Sequence, residues 1–323
     1  MLAAQYTSPG PARDVLHVTP IPEIVAADGE VLVRVHASGV NPSDVKSRRA
    51  GPLPFPRIIP HSDGAGVIQS VGGGVDPHRV GERVWLWNAA WRRPDGTAAE
   101  YVALPSPQAV TLPDNSSFED GACLGIPALT AHRAVFIDGD IRGTTVLVAG
   151  GAGAVGHYAC QMASRAGAQV IATVSSDLKA SQARAAGAAH VINYRQENIA
   201  DRVRELTGGK GVDRILEVDL AANATGYTSY LKHDGRVIVY GSGDWTARLP
   251  QRDWLVHGVT LSFFIVYELS ATARAQAIDD VTRWVKAGEL QHRVAARFAL
   301  ADIAQAHEAV EGGQCVGNVV VTI

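Results

Sequence analysis

Residues 144–156 read Thr-Thr-Val-Leu-Val-Ala-Gly-Gly-Ala-Gly-Ala-Val-Gly, an apolar strand running directly into a glycine-rich turn. The turn holds G-x-G-x-x-G as Gly151, Gly153 and Gly156, with Ala152, Ala154 and Val155 between them, and a helical stretch is expected over 157–166. Strand, turn and helix in that order are what a dinucleotide site requires. The first glycine allows the tight turn, the second admits a pyrophosphate close to the backbone, and the third lets helix and strand pack closely. The helix start then offers N–H groups and a positive dipole end to the phosphates. The motif therefore predicts NAD or NADP binding.

The next strand bears on which dinucleotide. Gln169 to Val174 is apolar and ends at Ser175-Ser176-Asp177-Leu178-Lys179. NAD enzymes place Asp or Glu at this strand end for the ribose 2′-hydroxyl. Ser175 stands there instead, with Lys179 one helical turn on, and a hydroxyl and an ammonium attract a 2′-phosphate that a carboxylate would repel. Asp177 could serve the ribose if the register shifts by two, or could cap the following helix while Lys179 is a surface lysine. The expectation is NADPH.

Working outward, strands alternate with helices from about Cys123 to Phe264. Strands are expected at 144–149, 169–174, 190–193, 212–218, 236–241 and 259–264, with a helix at Ile199 to Leu206, which predicts a doubly wound parallel sheet. Residues 1–120 have a different texture of short strands and turns, including the alternating run Val31 to His36 and prolines between Pro52 and Pro60. A helix is expected at about Thr272 to Ala287, and the apolar segment 317–323 reads as a strand able to return to the first domain. The predicted division is 1–121 with 266–323, and 122–265 as the Rossmann domain.

The composition is globular, with 323 residues, 46% hydrophobic and 19% charged. A net charge of −3 gives no field for nucleic acid or an anionic membrane. Three scattered cysteines, Cys123, Cys160 and Cys315, suggest neither a disulfide framework nor a metal knuckle. With no secretory leader or long apolar run, a cytoplasmic protein is expected.

Several further segments carry a family resemblance. They are Val40-Asn41-Pro42-Ser43-Asp44, Gly81-Glu82-Arg83-Val84, Gly121-Ala122-Cys123, Ile126 to Ala131, Gly187-Ala188, Ile192-Asn193-Tyr194-Arg195 and Gly235-Arg236-Val237-Ile238. In this order, with Gly150 to Gly156, they resemble the medium-chain dehydrogenase/reductases, most closely the zeta-crystallin-like NADPH:quinone oxidoreductases. The resemblance covers essentially the whole chain. It implies an α/β fold with a GroES-like, mainly β catalytic domain around a Rossmann domain, an active site in the cleft, and a homodimer or homotetramer.

Zinc is the first question within that superfamily. Asn41 or its neighbours fall where the catalytic cysteine of the alcohol dehydrogenases would be. A lone His61 without a thiolate or second imidazole at suitable spacing does not fill a tetrahedral site. No metal is therefore expected, and His61 reads as a polar wall of the cleft or a loop residue. A quinone or conjugated enone, unlike an alcohol, accepts hydride without a Lewis acid, given a few donors for its oxygen.

The resemblance makes Asn41 the first choice for that donor, with capping of the Asn-Pro turn as its other reading. Asp44, Lys46, Arg48 and Asp63 are the other charged groups expected nearby. Relatives often carry tyrosine where Lys46 stands; Lys46 either replaces it as donor or points to solvent. Thr130 is expected on the nicotinamide, or as an interior helix threonine. Gly153, Ala154 and Val155 would touch the pyrophosphate, and Ser175, Lys179 and Tyr194 would frame the 2′-phosphate, Tyr194 otherwise being core. Gly241, Ser242 and Phe264 would line the nicotinamide side, with Phe264 otherwise strand core. Asn318 stands where many relatives have lysine and would bind the cofactor without charge. The expected activity is NADPH-dependent quinone reduction. Alternatives are reduction of C=C bonds in enals, enones or enoyl thioesters, and a non-catalytic NADPH-binding role.

Overall fold

The computed structural model describes residues 1–313 and 315–323. Its contacts divide the chain into two units, Met1–Pro127 with Ile278–Ile323, and Ala128–Ala277.

The first unit begins with the antiparallel pair β1 (Leu2–Gln5) and β2 (His17–Pro20). The main sheet follows with β3 (Glu30–Val40), β4 (Asp63–Val71), β5 (Arg83–Leu86), β6 (Tyr101–Pro105) and β7 (Ala109–Thr111). Val31, Val33, Val35 and Ala37 alternate along β3 and are fully or almost fully buried, as a period-two apolar strand requires. The three valines pack with Ile68, Val84, Leu86, Val102 and Leu104 from the neighbouring strands. Between β3 and β4 lies helix α1 (Pro42–Arg49). The Asn41-Pro42 pair is thus a helix start as well as a turn. Pro42 sits in the first turn, where its missing N–H costs nothing, and Asp44 accepts the Asn41 N–H at 2.8 Å.

The second unit carries six parallel strands: β8 (Thr145–Val148), β9 (Gln169–Val174), β10 (His190–Asn193), β11 (Val212–Glu217), β12 (Leu231–Val239) and β13 (Thr260–Phe263). Their order is β10-β9-β8-β11-β12-β13, which puts the topological switch point beside β8. Helices α2 (Leu129–Phe136), α3 (Ala154–Arg165), α4 (Asp177–Ala185), α5 (Ile199–Leu206) and α6 (Gln251–His257) accompany it. Compared with the sequence reading, β12 starts five residues earlier than 236, and α6 is an additional helix.

Helix α7 (Ala271–Lys286) follows, and the chain then returns to the first sheet through β14 (Val294–Ala299), helix α8 (Ile303–Glu311) and β15 (Asn318–Thr322). β15 pairs antiparallel with β3, Val319 opposite Val40, and parallel with β14. The C-terminal apolar strand therefore completes the first domain's sheet, as its sequence predicts. The resulting architecture is a Rossmann sheet plus a mainly β, GroES-like domain.

Candidate active site

The dinucleotide turn in the second unit is shaped by what its glycines exclude. Gly150, two residues after the end of β8, adopts φ +66°, the left-handed conformation that the tight turn needs. A Cβ on Gly151 would lie 2.6 Å from the Ala172 Cβ of β9, and one on Gly156 would lie 2.2 Å from the Gly150 carbonyl oxygen. Both positions are closed to any side chain, so strand, turn and helix come together at backbone contact. Gly153 is the N-cap of α3, and the helix begins at Ala154, three residues before the 157 expected. The N–H groups of Ala154, Val155 and Gly156 therefore lie in the first turn, where the helix supplies no acceptor. This cradle fits a pyrophosphate.

At the end of β9, Lys179 Nζ donates to Ser175 Oγ at 3.2 Å, so the two side chains chosen for a 2′-phosphate stand together. Ser176, and not Asp177, caps α4, its hydroxyl accepting the Lys179 N–H at 3.3 Å. Asp177 is the first helical residue and is exposed. Tyr194 is half exposed, and its N–H bonds the Val174 carbonyl, which holds the residue beside the same strand end. Gly241 and Ser242 follow β12, Phe264 is half-buried after β13, and Thr130 is buried on α2.

The first unit holds a buried polar cluster. Asn41 Nδ2 donates to Asp63 Oδ2 at 2.8 Å, bringing two of the sequence candidates into direct contact. Burial holds the Asp44 carboxyl up at about 7, against the lowering effect of its hydrogen bonds from Asn41. Burial likewise raises Asp63 well above the ordinary carboxylate range, although the Ile126 N–H and the Asn41 amide favour its charged form. Both carboxyls are therefore biased toward the neutral acid. Lys46 is exposed on α1. Asn318 is buried on β15, where its amide donates to the Arg293 carbonyl at 3.2 Å.

His61 lies between Pro60 and the start of β4 and is not at the surface. It is fully buried, with Nδ1 2.8 Å from Ser38 Oγ and Nε2 2.9 Å from His307 Nε2. His307, on α8, also receives a hydrogen bond from Arg48 Nε at 3.4 Å. Arg48 is itself buried, bound to the Gly10 carbonyl and to the Glu311 carboxylate. Burial lowers both imidazole pKa values, His307 to about 3, so both rings are neutral near neutral pH. Ser38, Thr97 and His307 escaped the sequence reading. A histidine on the buried face of α8, one turn after Ile303 and beside Ala306, is the one signal that pointed to it.

Zinc has no donor set here. Both His61 nitrogens are engaged, Asn41 offers an amide instead of a thiolate, and Cys123 Sγ donates to the Glu119 carbonyl. Among the described residues no group of three or more His, Cys, Asp or Glu side chains could hold a metal ion. The residues present do not fit zinc, and no chemistry below is routed through it.

Known proteins share this arrangement of domains. The family model for the alcohol dehydrogenase GroES-like domain matches residues 27–114, and that for zinc-binding dehydrogenase matches residues 154–283. A human quinone oxidoreductase is 32% identical over 94% of this chain and 91% of its own. A 2-haloacrylate reductase from a Burkholderia species is 32% identical over 90% of each chain. The crystal structure of Escherichia coli quinone oxidoreductase complexed with NADPH is 25% identical and superposes over 100% of both chains with a TM-score of 0.89. This chain belongs to the zeta-crystallin-like quinone oxidoreductase family of the medium-chain dehydrogenase/reductase superfamily.

Proposed function

We propose that the chain is an NADPH-dependent oxidoreductase that transfers hydride to quinones without zinc. The observation that supports this reading is the buried Asn41–Asp44–Asp63 cluster of the first unit, which offers an amide and two carboxyls, while among the described residues no group of three or more His, Cys, Asp or Glu side chains could hold a metal ion. Bound NADPH supplies the hydride. An amide and two carboxyls biased toward their neutral forms are hydrogen-bond donors for the oxyanion that develops on a quinone as it accepts hydride. The turn from Gly151 to Gly156 holds the pyrophosphate, and Ser175, Lys179 and Tyr194 take the 2′-phosphate. Thr130, Gly241, Ser242 and Phe264 are assigned to the nicotinamide side, and Asn318 to the cofactor as an uncharged hydrogen-bonding group.

The second reading, reduction of an activated C=C bond, is favoured by one specific finding, the similarity to a 2-haloacrylate reductase. Saturating a C=C bond adds a proton as well as a hydride, and Asp44, poised at about 7, is the group able to give one at neutral pH. NADPH oxidation followed at 340 nm separates the readings. Turnover with quinones exceeding that with 2-haloacrylates, enals and enoyl thioesters supports quinone reduction, and the reverse order selects the second reading. Saturable NADPH binding without turnover on any acceptor leaves a binding protein.

We further propose that the chain forms a homodimer. Among the described residues β13 ends the six-stranded sheet with one side unpaired, and Phe263, Leu255, Val256 and Ile265 expose apolar surface on or beside it. A second copy paired along this edge would cover both. Light scattering should give a dimer that Phe263→Glu dissociates; a wild-type monomer contradicts the assignment.

A further inference from the structure

The hydrogen bonds around His61 have only one consistent direction. Arg48 can only donate, so His307 Nδ1 is an acceptor and the His307 proton sits on Nε2. His61 Nε2 must then accept, which places its proton on Nδ1, facing Ser38 Oγ. Thr97 spends its hydroxyl proton on the Asp63 carbonyl, so Ser38 donates to Thr97 at 2.7 Å. The chain thus runs Arg48, His307, His61, Ser38, Thr97, Asp63. It ends on a carbonyl oxygen, which has no proton to pass on. The arrangement can orient the backbone of Asp63 but cannot conduct a proton to it.

The backbone marks the same residue. His61 has φ +77°, a conformation that a bulky side chain rarely adopts and that glycine takes freely. Such strain persists where the surroundings over-determine it. Here the Thr97 N–H holds the His61 carbonyl at 2.9 Å, and the two imidazoles stack with centroids 5.1 Å apart. Space-filling alone would not call for a neutral imidazole with both nitrogens engaged.

We propose that His61 and His307 are a positioning pair, which through Ser38 and Thr97 fixes Asp63 and so the Asn41 amide presented to the acceptor. The proposal rests on the reading that Asn41 and Asp63 face the acceptor. Neither imidazole touches substrate.

The test compares two replacements that both tolerate the left-handed backbone. His61→Gly removes the ring, whereas His61→Asn keeps an N–H donor near the Nδ1 position for Ser38. The expected result is a kcat lowered about 10–100-fold in His61→Gly, as misplacement of a reacting partner produces. NADPH affinity should stay within about twofold, since the cradle is made by other residues, and Asn should recover most of the lost kcat. Equal kcat in wild type and both folded variants, whatever their thermal midpoints, overturns the proposal. Should His61→Gly not fold, His307→Gln against His307→Leu makes the same comparison, because only Gln can donate to His61 Nε2. Should wild type turn over no acceptor, the functional reading fails and imidazole ¹⁵N spectra judge the pair alone. A Nδ1–H tautomer at His61 and Nε2–H at His307, with the Asn41 amide resonance shifted in the His61 variant, is expected. Other tautomers or an unmoved amide contradict it.

Discussion

The two units make their polar sites from different materials. In the second, the cradle from Gly150 to Gly156 is backbone, and its shape is enforced by side chains that cannot be there. In the first, the cluster of Ser38, Asn41, Asp44, His61, Asp63, Thr97 and His307 is almost entirely side chain, buried and assembled from distant parts of the chain. Backbone dipoles do not titrate, and they tolerate variation in sequence as long as the turn survives. Buried side chains titrate, depend on one another, and leave costly unpaired groups when one is removed.

The sharpest consequence concerns pH. Asp44 is raised in the folded chain from an ordinary 3.8 to about 7, so between those values the native state holds a proton that the unfolded state has lost. Stability from this group is therefore present below about 4 and declines as pH rises to about 7, at about 1.4 kcal/mol per pH unit within that window. His61 and His307 work in the opposite sense, since their lowered values cost stability as pH falls below 6.5. Subtracting the Asp44→Asn denaturation profile from that of wild type cancels the histidines and should expose the carboxyl slope. A flat difference would mean that Asp44 is not held neutral.

The backbone-made site should fail sterically. Gly156→Val places side-chain carbon against the Gly150 oxygen, and an overpacking cost of about 1–3 kcal/mol, borne by the binding-competent turn, corresponds to roughly 5–150-fold weaker NADPH binding. Calorimetric titration reads this directly, and unchanged affinity would deny the cradle its role. Asp63→Ala strands the Asn41 N–H at a cost of about 1–3 kcal/mol in thermal or denaturant unfolding. Asp63→Asn, an isostere of the neutral acid, should recover most of that. If Asn is as damaging as Ala, Asp63 works as a charge and the donor argument fails. Ser175→Asp, smallest in effect, brings a carboxylate to the 2′-phosphate position and should weaken NADPH by about tenfold relative to NADH. An unaltered ratio of the two KM values would remove Ser175 from the phosphate site.

These differences also explain what the sequence disclosed. A cradle made of consecutive residues is visible in one window, and the strands at 169–174 and 190–193 fall where the apolar runs place them. The start of α3 was displaced because Ala154 and Val155, which read as part of the loop, already have Gly153 as their cap. α1 was hidden behind Asn41-Pro42, a pair that signals a turn and a helix start equally. The side-chain site could be read only in part. Asn41 and Asp63 were found through family motifs, but their contact was not, and His61 meets a partner 246 residues away. No periodicity encodes such a meeting; it is created when α8 returns to the first unit.

The Asn41–Asp44–Asp63 cluster of the first unit is central to the proposed chemistry, in which no metal takes part. Its most direct test is the rate of NADPH oxidation by a quinone, measured on wild type before and after exhaustive dialysis against a strong chelator, with Asp63→Ala assayed alongside. The expected result is an unchanged wild-type rate after metal removal and a clear loss in Asp63→Ala. A wild-type rate that collapses on chelation and returns with zinc would contradict it.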